Sequence, residues 1–380
     1  MSLPQSNKDR CRWIIGCMTG TSLDGLDAAL VHISGEALDL EARCVGWVSK
    51  SLDGLAEVLG RFCAGQTAAP MEYICAAREL GVLHAEAVAQ LLDLHLPRGQ
   101  TLDFVAAHGQ TICHEPTQCL SWQLFDPQPI VQQRGVPVCF DLRQADLLAG
   151  GEGAPLTPIA DWVLYRSPHM HRWIINLGGI CNITELPTDI APGQISARDL
   201  VPCNLFVDAV VQSLFLPHRF DQGGLIAKRG TPQDSVYPEL QRLVSAATDR
   251  KRSLGREDIS QQWLSDFIDR RCQSMPPEDL LASVVDSVGR CIGGCMKRGR
   301  CGQAVLAGGG SRNQTLVEAI RQHSGSEVDL VLSDELGIPC EAREAVCMAV
   351  LGALCQDGVP IALPQVTGAR EPVIAGRWVY

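Results

Sequence analysis

The sequence predicts an α/β protein built from two lobes, and three observations support this prediction. The chain has 380 residues, more than a single hydrophobic core usually contains, so two domains are expected. Short runs rich in Val, Ile and Ala recur along the chain, and most run directly into Gly, Asp or His. Longer segments with helical periodicity lie between these runs, and such alternation of strands and helices is typical of α/β architecture.

The predicted elements are spread over the whole chain. Strands are predicted at WIIG from residue 13, LDAALVHI from 26, DFVAAHG from 103, VPVCFD from 136, WIINLGG from 173 and QAVLAGGG from 303. Helical periodicity begins near residues 71 and 278. Trp-Ile-Ile, a small-residue loop and a second apolar run occur twice, which indicates an internal duplication. We expect one lobe over residues 1–142 with a C-terminal segment of about 355–380, and the other over 143–354.

Composition and charge exclude several classes of partner. Hydrophobic residues make up 46% of the chain and charged residues 20%, as in ordinary soluble proteins. The formal net charge is −11, which leaves no basic surplus to neutralise the phosphates of a nucleic acid. Neither a signal peptide nor a run of 18 apolar residues is visible. We therefore expect a cytoplasmic protein that binds neither nucleic acid nor membrane.

The 17 cysteines form no paired framework and no Cys-x-x-Cys motif. The tightest group is Cys291, Cys295 and Cys301, whose first two members have the spacing of neighbours on one helix face. A zinc site is conceivable there, but a second pair of ligands at metal spacing is missing. Buried helix positions in a reducing compartment are the preferred interpretation.

The loop GCMTGTSLDG, residues 16–25, separates two apolar runs and combines glycines with hydroxyl side chains. Glycines allow close approach of backbone amides, and consecutive amides can form an anion-binding nest. A simple hairpin turn is the alternative, but such turns usually need only two to five residues. The preferred interpretation is a phosphate-binding loop that uses Gly20, Thr21, Ser22, Asp24 and Gly25.

Two further glycine motifs occur in the second half of the chain. NLGGICN contains Gly178 and Gly179 between two apolar runs, as in the first loop. VLAGGGSRN places Gly308, Gly309 and Gly310 between a predicted strand and a predicted helix, where a nucleotide ribose or phosphate commonly binds. The three motifs together are far more specific than any one of them.

Two loops carry polar residues that could bind a substrate. AAHGQTICHEP offers His108, Gln110 and Thr111 at the end of a predicted strand, although His108 could equally be a structural residue bonded to backbone. CFDLRQADLLAGGEGAPLTP offers three charged side chains beside a Gly-Gly-x-Gly run, in which an arginine can bind a polar ligand through its fork of donors. A structural ion pair between the arginine and the second aspartate is the alternative. The charged residues are Asp141, Arg143 and Asp146.

Taken in order, these motifs resemble the anhydro-N-acetylmuramic acid kinase family, within the superfamily of sugar kinases, heat-shock chaperones and actin. The resemblance extends from residue 14 to residue 369 and includes DELGIPCEAREAVCMAVLG and VTGA. It implies two lobes of an actin-like, ribonuclease H-like ATPase fold with an active-site cleft between the lobes. It also implies that ATP, Mg²⁺ and water convert 1,6-anhydro-N-acetylmuramic acid to N-acetylmuramic acid 6-phosphate in cell-wall recycling. A homodimer is a further family-level expectation.

The resemblance assigns the catalytic base to Asp199, in the stretch RDLVPCN. The family's motif is similar to Phe-Asp-Thr-Gly-Pro-Gly-Asn, so Val201 and Cys203 stand where glycines are usual. Phe125, Glu152 and Gly223 are further departures. Two alternatives follow: a divergent member that binds ATP and sugar without turnover, and an actin-like or chaperone-like ATPase that acts on a protein.

Overall fold

A computed structural model describes residues 10–20, 23, 25–249, 261–296 and 301–380. The chain divides into two compact units. The first comprises Met1–Arg166, Ile190–Ser196 and Leu336–Tyr380, and the second comprises Ser167–Asp189 and Ala197–Glu335.

Thirteen strands are present among the described residues. In chain order they are β1 (Cys11–Thr19), β2 (Leu26–Ser34), β3 (Glu41–Lys50), β4 (Phe104–His108), β5 (Gln110–Glu115), β6 (Leu120–Leu124), β7 (Val138–Phe140), β8 (His171–Leu177), β9 (Ile180–Leu186), β10 (Ser196–Pro202), β11 (Gly302–Ala307), β12 (Val328–Leu332) and β13 (Arg377–Val379). All six predicted strands are among them.

The same part of the chain contains twelve α-helices. They are α1 (Gly54–Cys63), α2 (Pro70–His95), α3 (Gln128–Arg134), α4 (Gln144–Leu148), α5 (Pro158–Tyr165), α6 (Asn204–Leu214), α7 (Tyr237–Asp249), α8 (Gln261–Cys272), α9 (Pro277–Gly294), α10 (Gln314–His323), α11 (Arg343–Gln356) and α12 (Pro364–Thr367). The periodic segments near residues 71 and 278 form α2 and α9. None of the described helices is both long enough and apolar enough to cross a membrane.

The boundary between the units lies later in the chain than the sequence suggested. Residues 143–166, 190–196 and 336–354 were expected in the second lobe but belong to the first unit. The physical reason is the packing of α11, which lies against β1 and α5. Gly16 of β1 permits this contact, because a Cβ atom at that position would lie 1.9 Å from the carbonyl oxygen of Ala345.

The first unit contains a six-stranded sheet in the order β13-β7-β4-β1-β2-β3. β1 and β2 form an antiparallel hairpin, β2 pairs antiparallel with β3, and β4 and β7 continue the sheet in parallel. β5 and β6 form a separate two-stranded sheet. Parallel strands place their carboxyl ends at one edge of a sheet, where ligands commonly bind.

The second unit repeats this plan with the order β10-β9-β8-β11-β12. β8 and β9 form an antiparallel hairpin, as β1 and β2 do in the first unit, and β8, β11 and β12 are parallel. Trp13 and Trp173 are the third residues of the equivalent strands β1 and β8, which agrees with the duplication indicated by the two Trp-Ile-Ile motifs. The repeated order confirms the predicted α/β, actin-like class of fold.

Helix packing on this second sheet depends on two small residues in α9. A Cβ atom at Gly289 would lie 2.5 Å from Cβ of Ala319, and one at Gly293 would lie 2.6 Å from the backbone of His323. α10 therefore approaches α9 closely along its length. The apolar faces of both helices and the sheet enclose one hydrophobic core.

Candidate active site

The loop between β1 and β2 is shorter than the sequence suggested. The hairpin pairing continues to Thr19 and Leu26, so the connection comprises residues 20–25 instead of ten residues. Within it, the backbone N–H of Leu23 donates to the carbonyl of Gly20 at 3.4 Å. Three of the predicted phosphate-binding residues lie outside the described residues: Thr21, Ser22 and Asp24.

Two contacts anchor this loop in the first unit. Leu23 has a φ of +61° and packs against the apolar cluster of α1 and α2. Gly25 lies against β3, where a Cβ atom would be 2.9 Å from the carbonyl oxygen of Lys50. Gly25 is therefore required by packing, whereas its predicted contact with phosphate stays a prediction.

Thr19 ends β1, and its hydroxyl is one of the donors that the sequence of the first glycine loop offers. Its side chain is 1% exposed, and its Oγ1 atom has no hydrogen-bond partner among the described residues. A buried hydroxyl without a partner costs free energy, so such an atom is a reason to look for a ligand or water.

His108 ends β4 and is held by Arg143 from the next loop. Arg143 donates from Nε to His108 Nε2 at 2.9 Å and from Nη1 to the carbonyl of Gly153 at 2.6 Å. Burial and the nearby guanidinium lower the pKa of His108 to about 3. A histidine in this state is neutral near pH 7, so His108 can position a substrate but cannot act there as a proton-donating cation.

Asp146 is a structural clamp. Its Oδ2 accepts from the backbone N–H of Gly153 at 2.6 Å, and its Oδ1 accepts from the Thr367 hydroxyl at 2.6 Å. A Cβ atom at Gly151 would overlap the carboxylate, at 2.3 Å from Oδ2. No ion pair joins Arg143 to Asp146 among the described residues. Both bind Gly153 instead, so together they fix the Gly-Gly-x-Gly loop.

The other predicted substrate residues differ in their surroundings. Asp141 pairs with Arg377 at 2.9 Å and accepts from the backbone of Gln144 at the start of α4, which indicates a structural role. Gln110 is fully buried at the start of β5, and its Oε1 has no partner in the described part of the chain. Thr111 pairs with Gln123 across the β5–β6 hairpin.

In the second unit, the NLGGICN turn is covered by the start of α6. The backbone N–H of Cys203 donates to Gly179 O at 2.9 Å, and that of Asn204 donates to Gly178 O at 3.1 Å. The Asn204 side chain donates from Nδ2 to Leu177 O at 3.0 Å. The second glycine turn and the RDLVPCN stretch are therefore one structural assembly.

The triple glycine joins the same assembly. Gly308 has a φ of +81°, and a Cβ atom there would lie 2.7 Å from Asn176 Oδ1. A Cβ atom at Gly310 would lie 2.8 Å from Asn204 Oδ1 and 2.8 Å from Leu177 O. Side chains at 308 and 310 would thus collide with the β8–β9 turn. The structure brings together all five glycines predicted in this half of the chain.

Two of these glycines face open space. No atom lies within 4 Å of a Cβ position at Gly309, and at Gly179 the nearest is Leu205 Cβ at 4.0 Å. Internal packing therefore does not demand glycine at either position. Asn176 nearby is 5% exposed and its Oδ1 lacks a partner among the described residues. Open glycine backbone, whose N–H groups can donate, is suited to binding an anionic ligand, whereas Asn176 Oδ1 is an acceptor and would need a donor such as water.

Asp199, the predicted base, lies in β10 beside β9. Its side chain is half-buried, and its charge contributes to raising the pKa of the buried Cys181 thiol, after burial itself, Cys203 and Cys295. The strand continues through Val201 and Pro202 directly into the segment that covers the glycine turn. Asp199 is therefore carried by the strand that leads into the segment covering the glycine turn.

Val201 and Cys203 do not obstruct this site. Both side chains are 0% exposed and belong to the hydrophobic core of the second unit. The strand directs both side chains into the protein, so neither occupies space beside the glycine turn. Burial raises the pKa of Cys203 to about 12, so it remains a neutral apolar thiol.

Two other sequence features have structural roles. Asp221 accepts from the backbone N–H groups of Ile226 and Ala227 at 2.7 and 3.0 Å, so it stabilises its own turn. Cys291 lies in α9, and Cys295 donates to its carbonyl at 3.2 Å. No group of three or more His, Cys, Asp or Glu residues in the described ranges could hold a metal ion.

Comparison with known proteins extends over nearly the whole chain. A family model described as anhydro-N-acetylmuramic acid kinase matches residues 12–380. A protein of that name from Bacillus cereus is 30% identical, with 97% of this chain and 99% of the relative covered. One from Salinibacter ruber is 33% identical, with 95% of each chain covered.

Similarities to solved structures are weak. Component A of the (R)-2-hydroxyglutaryl-CoA dehydratase of Acidaminococcus fermentans has a TM-score of 0.47 at 11% identity, covering 91% of this chain and 99% of that chain. A ROK family glucokinase from Streptomyces griseus, solved with glucose and AMPPNP, has a TM-score of 0.38 at 13% identity, covering 89% and 98%.

Proposed function

Because the chain belongs to the anhydro-N-acetylmuramic acid kinase family, we propose that it is a sugar kinase of cell-wall recycling. ATP, water and 1,6-anhydro-N-acetylmuramic acid would give N-acetylmuramic acid 6-phosphate and ADP. The structural observation that carries the proposal is the assembly of Gly178–Gly179 with Gly308–Gly310, whose backbone is open at Gly179 and Gly309.

The glycine loops would hold the phosphates of ATP. Backbone amides at Gly179 and Gly309 can approach an anion without a side chain between, and they can stabilise charge that develops during phosphoryl transfer. Gly20 and Gly25, with Thr21, Ser22 and Asp24, would supply the corresponding loop of the first unit.

The sugar would be bound by the polar residues of the first unit. Arg143 is the strongest candidate, because the neighbouring carboxylate of Asp146 binds Gly153 and Thr367 and forms no ion pair with the guanidinium in the described part of the chain. Burial lowers the pKa of Arg143 to about 10, so the guanidinium stays charged near pH 7 and suits the carboxylate of a muramic acid. His108, Gln110 and Thr111 would bind hydroxyl or amide groups. Asp141 and Asp146 would act through the loops that they stabilise.

Asp199 would be the catalytic base. A carboxylate that accepts a proton from water makes that water a nucleophile toward the anomeric carbon of the sugar. Opening the anhydro bridge then frees O6, which attacks the γ-phosphate while ADP leaves. The half-buried position of Asp199, on the strand that leads into the glycine-loop assembly, supports this role.

Mg²⁺ would accompany ATP. Mg²⁺ usually keeps several waters and binds through one or two carboxylates together with substrate phosphates, so a dedicated cage of three protein ligands is not required. Mg²⁺ would neutralise phosphate charge during the transfer. We further propose a cytoplasmic location, in keeping with an intracellular supply of ATP, and a homodimer as in the family-level expectation.

The test is ADP release by the purified chain with ATP and 1,6-anhydro-N-acetylmuramic acid, together with the mass of the product. N-acetylmuramic acid without the anhydro bridge is the matched control. Sugar-dependent ADP release with a 6-phosphate product supports the proposal. ATP consumption that ignores the sugar would contradict it, and binding of both ligands without turnover would instead indicate a non-catalytic member. The buried positions of Val201 and Cys203 give no support to that alternative.

A further inference from the structure

Two buried cysteines of the first unit are neighbours, although they lie far apart in the sequence. Cys139 is in β7 and is 0% exposed, and Cys355 is in the last turn of α11 and is 7% exposed. A Cβ atom at Gly376 would lie 2.8 Å from Sγ of Cys139 and 3.7 Å from Sγ of Cys355. Both sulfurs of this thiol pair therefore border the same glycine.

The two thiols also share a hydrogen bond. This hydrogen bond, together with burial, raises the pKa of Cys139, so its thiol is protonated near pH 7. A disulfide requires two sulfurs that can approach each other closely, and this pair meets the requirement from two different elements. The pair is therefore more than a single buried cysteine, which usually acts as a small apolar residue.

The thiol pair is covered by a short strand at the edge of the six-stranded sheet. β13 follows Gly376 directly and pairs with β7, with Trp378 opposite Cys139. The ring of Trp378 packs on that of Phe104, with centroids 5.0 Å apart. Short edge strands open locally more readily than the centre of a sheet, so a small reagent can reach groups beneath them.

The thiol pair lies beside the segment that carries Arg143. The Cβ position at Gly376 is also 3.3 Å from Cδ2 of Leu142, a residue that is 2% exposed and directly precedes Arg143. β13 contacts the same segment through Arg377, which pairs with Asp141 at 2.9 Å. A displacement of β7 at the thiol pair is therefore transmitted to the proposed sugar-binding loop.

We propose that Cys139 and Cys355 form a reversible disulfide under oxidising conditions and that this bond weakens binding of the sugar. A disulfide holds its two sulfurs well inside the contact distance of two thiols, so β7 and α11 must approach each other. This movement disturbs the geometry in which Arg143 binds His108 and Gly153. The effect on the sugar rests on the proposed function, whereas formation of the bond does not.

Hydrogen peroxide is a sufficient oxidant for this step. The sulfur of Cys355, the more exposed of the two, attacks the peroxide, which breaks the O–O bond and gives a sulfenic acid and one water. The sulfur of Cys139 then attacks the sulfenic sulfur and forms the S–S bond, and its proton leaves with the hydroxyl group as a second water. The two thiols lose two electrons, which reduce one peroxide to two waters.

The test is treatment of the purified chain with hydrogen peroxide, followed by peptide mass mapping and sugar-dependent ADP release. We expect a crosslink between Cys139 and Cys355 that dithiothreitol removes. The KM for the sugar should rise about fivefold or more in the crosslinked chain, while ADP affinity, measured by calorimetry, should stay within about twofold.

Variants of the thiol pair identify the bond that causes this change. Cys355→Ala and Cys139→Val keep apolar side chains at both positions and should retain the KM of the reduced wild type after peroxide treatment. Cys75→Ser, at an exposed cysteine of α2, is the matched control and should respond to peroxide as the wild type does.

The outcomes separate this inference from the kinase proposal. Absence of the crosslink in the treated wild type, or a crosslink that leaves the KM for the sugar unchanged, would overturn the inference and leave the kinase proposal intact. If the reduced chain releases no ADP with the sugar, the kinase proposal fails. Calorimetric binding of the sugar to the reduced and the oxidised chain then decides the inference, and equal affinities would overturn it.

Discussion

Arg143 donates a hydrogen bond from Nε to Nε2 of His108 at 2.9 Å, which fixes the remaining proton of the neutral imidazole on Nδ1. The same guanidinium donates to Gly153, whose backbone N–H binds Asp146. A candidate substrate histidine is thus linked through one arginine to the Gly-Gly-x-Gly loop. Substitution of any of these four linked residues should therefore alter the proposed sugar-binding site.

Two buried histidines should make the first unit sensitive to acid. Burial lowers the pKa of His84 to about 4, and burial with the Arg143 charge lowers that of His108 to about 3, from 6.5. Between about pH 4 and 6.5 the unfolded chain binds protons that the folded chain excludes. The free energy of unfolding should therefore fall as pH falls through this window, by about 1.4 kcal/mol per pH unit for each histidine.

Urea unfolding at several pH values between 5 and 6.5 measures this slope. His84→Leu should reduce the slope by about 1.4 kcal/mol per pH unit, whatever it does to stability at pH 8. His218→Gln, which changes an exposed histidine, is the control and should leave the slope as in the wild type. An unaltered slope in His84→Leu would show that its pKa is not lowered.

Asp199→Asn should remove most turnover and leave nucleotide binding nearly intact. The amide cannot accept the proton of the attacking water, and loss of a general base typically costs about 10²- to 10⁴-fold in rate. ADP affinity should stay within about threefold, because the charge lost is not assigned to phosphate binding. Steady-state ADP release and calorimetry measure the two quantities. Asp329→Asn, at an exposed aspartate on β12, should keep the wild-type rate. A variant at Asp199 with near-normal kcat would rule out this base.

Glycine at position 201 or 203 should not raise activity. The side chains of Val201 and Cys203 are fully buried in the core, so removing them leaves cavities without clearing a ligand path. Val201→Gly should lower the free energy of unfolding by about 3 kcal/mol. The variant loses the three buried carbon atoms of the valine side chain, and glycine makes the backbone of the unfolded chain more flexible. Thermal unfolding and ADP release on the same preparations provide the check. A faster, equally stable variant would mean that the loop is obstructed after all.

The amino-acid sequence alone predicted the strands and helices with a clear hydrophobic periodicity, and it also predicted the glycine turns. WIIG and QAVLAGGG form strands because their side chains are apolar throughout, and the segment from residue 71 forms a helix because its apolar residues recur at helical spacing. β10 was missed, because SARDLVP reads as a polar loop and becomes a strand only by pairing with β9.

Where the structure gives a residue a role other than the predicted one, the cause is a contact with a segment that is distant in the sequence. Gly16 was read as part of a ligand loop, but its missing side chain makes room for α11, more than 300 residues later. Asp146 was read as a substrate ligand, but both of its oxygens accept hydrogen bonds from the protein. Residue type alone does not tell whether a carboxylate binds a ligand or a backbone amide. Asp199 has not been tested by the geometry and remains a prediction.

The hydroxyl of Thr367 should be needed for the order of the sugar loop. It donates to Asp146 at 2.6 Å in a buried site, so Thr367→Val removes the donor and keeps the shape. An unmatched buried carboxylate oxygen costs about 1–3 kcal/mol, which thermal unfolding would detect. KM for the sugar should rise, because Asp146 also holds Gly153, while ADP affinity should not change. Thr367→Ser keeps a donor and should behave as the wild type. Equal stability of the valine variant would contradict the clamp.

Gly308 and Gly309 offer a matched pair that separates packing from ligand binding. Alanine at 308 would need a φ of +81° and would collide with Asn176, so Gly308→Ala should lower the unfolding temperature. A Cβ atom at position 309 would have no other atom within 4 Å. The unfolding temperature of Gly309→Ala should therefore lie within a few degrees of the wild-type value.

Gly309→Ala should nevertheless weaken nucleotide binding about tenfold or more, because the new methyl group would occupy space that a phosphate needs. Calorimetry with ADP measures the affinity. Gly325→Ala, at another open glycine, controls for the change itself and should alter neither stability nor affinity. If Gly309→Ala binds ADP as the wild type does, the open face of the triple glycine is not where the phosphates lie.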